Sequence, residues 1–516
     1  MENFIQTVTD VNSIINDFVW VRLGIWILLG TGVLMTVLTK FFQVSHIGHW
    51  MKNTLGAILS KDVSGHTKDK TISQFQSLCT ALAATVGVGN IAGVATAIVI
   101  GGPGAVFWMW VAAFFGMMTN YSENVLGIFY RRKNINNEWS GGSMYFLQDG
   151  LGHYKGCKVV GKVLAILFAV FAILASFGIG NMGQVNKIVA NIESAFRIPA
   201  LETPVFGETT LYAVLIGVVL LILAAVIIVG GLKRVAEVAE KIVPVMVVLY
   251  VLGSLIIIFT NIGQILPAFG AIFTMAFKGD AIWGGAAGVL ISKAMTQGFK
   301  RGIFSNEAGL GSSVMVHSSS NVVEPVRQGM WGIFEVFADT MVVCTMTALT
   351  ILTSGVINLE TGELVAGATD ATLVGTAFDT IFKIGNVNIG SMFIAVTVFL
   401  FAFTTVLGWS QYGTKAWEYL FGTKATIVYK VIFTVMIMSG AVMTSSLAWD
   451  ISDTFNGLMM IPNLIGVASL SPVVMLLTKN YIDRRIKGKD VKPMLNFDPR
   501  VQAEEEAKLK ADRNAL

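Results

Sequence analysis

Apolar runs of about 20 residues recur along nearly the whole 516-residue chain, and a run of that length crosses the hydrocarbon core of a bilayer as a helix. Lipid offers backbone groups no hydrogen-bond partner, so such a run has to satisfy its own N–H and C=O groups by coiling. Runs fall near residues 19–42, 75–100, 103–130, 160–190, 210–230, 236–260, 281–299, 328–353, 390–413, 424–448 and 452–478. Only 13% of the residues are charged, where a soluble domain carries about 25%. The expected fold class is an all-α integral membrane protein with about eleven transmembrane helices.

Orientation follows from where the cations sit. Lys40, Lys52 and Lys61 follow the first run, Arg131, Arg132 and Lys133 the third, and Lys233 and Arg234 the fifth. Lys300, Arg301 and Arg327 follow the seventh, Lys415 and Lys424 the ninth, and Lys479, Arg484 and Arg485 the last. The alternate loops carry acids instead, among them Glu202, Glu360 and Asp453. This pattern predicts an extracytoplasmic N-terminus over 1–18, a first helix and cytoplasmic loop over 19–74, and a cytoplasmic tail over 479–516, either a short helix or disordered. Residues 1–18 lack the basic start of a cleavable signal peptide, so the first run is expected to stay as an anchor.

Two runs carry clustered glycines: Gly87-Val88-Gly89-Asn90 in the second, and Gly284, Gly285 and Gly288 in the seventh. They lie five runs apart. Segments 75–260 and 261–478 therefore read as two halves of opposite topology, each opened by a discontinuous helix, as in transporters with inverted repeats. An unwound helix presents N–H groups to a carboxylate and carbonyls to a cation. Close packing through small residues would place the same glycines there.

Polar residues inside the other runs complete the candidate set. Thr404 and Thr405 are hard oxygen donors suited to sodium, or they bond back to their own helix; Trp409 lies one turn beyond Thr405. Asn181, Gln184 and Asn186 either bridge helices or line a polar cavity. Glu123, Glu335 and Asp339 are intramembrane acids, expected near the cytoplasmic ends as a gate or, preferably, a brace paired with Arg131, Arg301 or Arg327.

Other functions find no support. The stretch Gly156 to Val163 lacks the Ser or Thr of a phosphate-binding loop, the five histidines show no zinc spacing, and Cys79, Cys157 and Cys344 are too few for a disulfide framework. No nucleophile–base constellation points to an enzyme, and no basic stretch interleaved with aromatics points to nucleic acid.

Several stretches, in order, resemble the alanine/glycine:cation symporter family, the sodium:alanine symporters. They are Ala81 to Ala97, GGPGAVFWMW from Gly101, GGSMYF from Gly141, GNMGQVN from Gly180, GIFSNEAGLGSS from Gly302, and Thr404 to Trp409. The resemblance implies a leucine-transporter-like fold with two inverted five-helix repeats and one extra N-terminal helix. It implies that amides near Val88 and Gly89, beside Asn90, hold a substrate carboxylate. Gln184 and Phe177 would line the site, Trp409 would limit substrate size, and Gly285 and Ile291 would add pocket wall. Sodium would sit between carbonyls of Ala83, Val86 and Phe401 and the hydroxyls of Thr404 and Thr405. Many members have Thr or Ser where this chain has Val88. The function expected is sodium-coupled import of alanine or glycine across the inner membrane, with Na+ as coupling ion and no cofactor. The alternatives are a glutamine-preferring or proton-coupled carrier, or a membrane amino-acid sensor.

Overall fold

The computed structural model describes residues 2–65, 71–207, 209–277, 281–284, 290–365, 372–385, 387–443 and 447–514. Its principal helices are α1 (Gln6–Leu38), α2 (Gln74–Thr85), α3 (Gly89–Gly101), α4 (Ala105–Phe129), α5 (Lys158–Ala195), α6 (Leu211–Val229), α7 (Gly231–Thr260), α8 (Ile262–Met275), α9 (Lys293–Asn306), α10 (Pro325–Thr353), α11 (Ile389–Phe421), α12 (Thr423–Val442), α13 (Asp450–Ser469), α14 (Ser471–Ile486) and α15 (Pro499–Asn514). Among the described residues, seven of these are long and apolar enough to cross a membrane, or nine if the bent pairs α2–α3 and α13–α14 each count as one span.

Local chemistry explains the helix ends. Ser73 and Gln76 form a reciprocal capping box at the start of α2, each side chain bonded to the other's backbone N–H. Pro325 opens α10, where a missing N–H costs nothing. The 57° bend between α13 and α14 falls at Leu470, just before Pro472; a proline cannot continue the hydrogen-bond ladder of the helix before it.

Burial sorts the helices into an inner group and an outer shell. Polar side chains of α2, α4, α10 and α11, including Asn120, Glu123, Asp339 and Thr404, are buried. By contrast, α6, α7 and α12 present Val219, Ile222, Val226, Val248, Leu252, Phe259, Val431 and Val435 outward. An outward apolar face that extensive suits acyl chains, not water.

The structure departs from the sequence expectation in three places. The helix of the seventh run starts at Lys293, after a hairpin pairing Ala281–Gly284 with Leu290–Ser292; Gly285 and Gly288 lie outside the described residues. The described break follows α9, where Glu307, Gly309 and Gly311 all take positive φ before the single turn Val314–His317. Helix α8 has no counterpart among the predicted runs, because it is too short to span alone. Finally, the helix that carries the first run already starts at Glu2, inside the segment expected to precede the first span.

One end of the bundle is clasped by the C-terminal segment. Arg131 is buried, donates to the carbonyls of Ser318, Ser320 and Val322, and faces Glu505 at 3.6 Å. Burial draws its guanidinium down to about 10, with Glu505 acting the other way, so it stays charged at neutral pH. Asn496 donates to the Arg131 carbonyl, and Phe497 N–H to that of Phe129.

Candidate functional site

Helix α2 ends at Thr85, and Val86 leaves the helical region at ψ 86°. The chain then unwinds through Gly87 and Val88 and re-enters a helix, α3, bent 52° from α2. Four side chains, those of Asn90, Gln184, Asp339 and Thr347, hold this segment open. The Gly87 N–H donates to Asn90 Oδ1 at 2.9 Å, and the Val88 N–H to Gln184 Oε1 at 3.4 Å. Asn90 Nδ2 donates to Asp339 Oδ1 at 2.6 Å, while Thr347 donates to the Asn90 carbonyl at 2.7 Å. Glycine at 87 is required by proximity: a Cβ there would lie 2.4 Å from Thr405 Oγ1 and 3.5 Å from Gln184 Oε1. The first N–H groups of α3 have no intrahelical acceptor.

The other wall comes from α5 and α11. Gln184 is anchored through Nε2 to the Ile179 carbonyl at 3.0 Å. Thr404 Oγ1 donates to the carbonyls of Leu400 and Phe401, and Thr405 Oγ1 to that of Phe401 at 3.0 Å. The threonines therefore adopt the back-bonded state, with their oxygen lone pairs still available to a cation. Trp409 is buried against Gly180, where a Cβ would come within 2.3 Å of the indole.

Gly87, Gly89, Gln184, Thr405 and Trp409 line one buried cavity, with Ala84, Thr85, Ile179, Phe304, Glu307 and Asn456 as the rest of its wall. Ala83, Val86, Val88 and Phe401 are buried beside it. Phe177 instead stacks on Tyr429 with ring centroids 5.4 Å apart and is not among the lining residues. Gly285 lies outside the described residues, as does the side chain of Ile291. Asn181 and Asn186 bridge to carbonyls of Phe433 and Met443.

The three buried acids depart from the expected arginine brace. Glu123 accepts from Asn463 at 2.5 Å; Glu335 accepts from His317 at 3.0 Å and from Asn120 at 3.3 Å. Asp339, at the middle of α10, accepts from Asn90, Ser305 and Thr340. Arginines that would need desolvating lie elsewhere: Arg131 binds loop carbonyls, and Arg484 binds Glu324. Amides and hydroxyls reach a buried carboxylate at lower desolvation cost.

Glu307 was missed. It lies in the stretch GIFSNEAGLGSS, but beyond the predicted limits of the seventh run, so the rule for intramembrane acids passed it over.

Buried polar side chains around an unwound helix, inside a sheath of outward-facing apolar helices, define a multi-pass membrane transporter. The family described as the sodium:alanine symporter family matches residues 5–495. A sodium/alanine symporter of Methanococcus maripaludis is 42% identical over 483 residues, 94% of this chain and 98% of that one. From Bacillus subtilis, a putative sodium/proton-dependent alanine carrier and a probable sodium/glutamine symporter are each 35% identical, covering 94% of this chain and 94% and 93% of theirs respectively. The chain belongs to the sodium:alanine symporter family, whose activity is sodium-coupled amino-acid symport.

Proposed function

We propose that this protein imports a small neutral amino acid, alanine or glycine, together with sodium by alternating access. The observation that carries this reading is the single cavity shared by Gly87, Gly89, Gln184, Thr405 and Trp409. The substrate carboxylate binds the amides near Val88 and Gly89 at the start of α3, where the helix dipole favours an anion. Sodium binds the carbonyls of Ala83, Val86 and Phe401 and the hydroxyls of Thr404 and Thr405, beside that carboxylate. Each charge makes the other cheaper to bury, which couples the two binding events. Trp409, buried in the wall of this tight cavity, favours a short side chain. The chain is read as eleven spans: an extra first helix, then two inverted five-helix repeats of the leucine-transporter-like kind, in the inner membrane with the N-terminus outside and the C-terminus in the cytoplasm. The bend between α2 and α3 and the break after α9 support it.

The test is uptake of labelled alanine into proteoliposomes under an inward sodium gradient, with potassium as control and unlabelled glycine and glutamine as competitors. Concentrative uptake only with sodium, displaced by glycine more than by glutamine, is expected. The relatives named for glutamine and for proton-dependent transport set the contrary outcomes: displacement mainly by glutamine overturns the substrate, and uptake driven by a pH gradient without sodium overturns the coupling ion.

A further inference from the structure

Glu307 forms part of the cavity wall, and among the described residues that line it, it alone carries an ionisable side chain. Its oxygens are held from both sides: Trp409 Nε1 donates to Oε1 at 2.9 Å, and Ser312 Oγ to Oε2 at 2.5 Å. The residue is buried and sits at φ 55° in the break between α9 and Val314–His317. A long side chain in the left-handed region costs about 1–3 kcal/mol and persists only where its surroundings impose it. Among the described residues it forms no ion pair with a lysine, arginine or histidine. An ionised carboxylate buried without a cation is expensive. Two bound donors still leave a carboxylate with acceptor capacity.

We propose that Glu307 binds the α-ammonium group of the transported amino acid. This deepens the reading given above and rests on it. A zwitterion then lies with its carboxylate on the first turn of α3 and its ammonium on Glu307, each end meeting the opposite charge on a different broken helix. Trp409 and Ser312 aim the Glu307 carboxylate, and Trp409 thereby senses both ends of the pocket. The cation that the buried acid lacks is the one that arrives and leaves with each transport cycle.

Glu307→Gln keeps the size and the Trp409 bond, with the Ser312 hydroxyl turned to accept from the amide, and removes the charge; Glu307→Asp keeps the charge. Sodium-driven alanine uptake by the wild type, measured first in the same liposomes, separates failure of the parent reading from failure of this one. Propionate, which is alanine without its ammonium group, is the probe of recognition. In Glu307→Gln the KM for alanine should rise about 30-fold or more, the loss typical of a buried charge partner removed. Inhibition by propionate should change little, so the ratio of the two constants collapses. Glu307→Asp should keep most of the wild-type preference for alanine over propionate. An unchanged ratio in Glu307→Gln, or a collapsed one in Glu307→Asp, overturns the assignment. So does a Glu307→Gln protein whose sodium requirement shifts while its alanine KM does not, since the carboxylate would then serve sodium.

Discussion

At the scale of single residues, the site depends on atoms that approach too closely to be exchanged. Thr405 Oγ1 lies where a Gly87 Cβ would press, so Gly87→Ala should cut sodium-driven alanine uptake severely while the purified protein stays monodisperse. Normal uptake by that variant would mean the hydroxyl simply turns aside and that the contact has no role. Thr405→Val removes one oxygen from the proposed sodium set, with almost no change in volume. Its sodium concentration for half-maximal uptake should rise roughly tenfold or more, about 1.4 kcal/mol for one lost ligand. The glycines and threonines of this site were legible in the sequence because hydroxyls and grouped glycines stand out in an apolar run. Glu307 was not. A positive φ leaves a trace in sequence when glycine supplies it, and here glutamate does.

At the scale of helices, the unwound segment is propped from behind by α10. Asn90 uses both ends of its amide, accepting from Gly87 and donating to Asp339, and Thr347 of the same helix holds the Asn90 carbonyl. Asn90→Ala leaves a backbone N–H and a buried carboxylate each short of a partner, a loss of about 1–3 kcal/mol apiece. Thermal unfolding in detergent should move to lower temperature and alanine uptake should fall with it; an unchanged midpoint would show that α10 does not brace the loop. Hydropathy located α2, α3, α10 and α11, because an apolar run declares its own length. It could not tell which buried acid would meet which donor, since Asp339 and Asn90 lie 249 residues apart and their pairing is decided by packing. The same limit hid the break after α9: its residues are polar and fall between hydropathy peaks.

At the scale of the molecule, the two arginines that Glu324 holds differ in burial, and so in worth. Glu324 holds Arg484, 4% exposed, at 2.7 Å and Arg485, 30% exposed, at 3.0 Å. Glu324→Ala strands a buried guanidinium and should cost roughly 3–5 kcal/mol, whereas Arg485→Ala breaks a half-wet pair and should cost about 1 kcal/mol or less. Equal shifts in the detergent melting midpoint would contradict that ranking. The Arg131 cage has a consequence in time. Its carbonyl partners are made within about 190 residues of the arginine, but Glu505 and Asn496 come some 370 residues after it. At ~5–20 residues per second of synthesis, the ribosome delivers them tens of seconds after Arg131 has entered the nascent bundle. Until then a guanidinium destined for burial stands without its carboxylate. The clasp therefore acts as a seal set at the end of translation, and a chain cut short before Leu495 should be recognised as unfinished and degraded even though every predicted span is already in place.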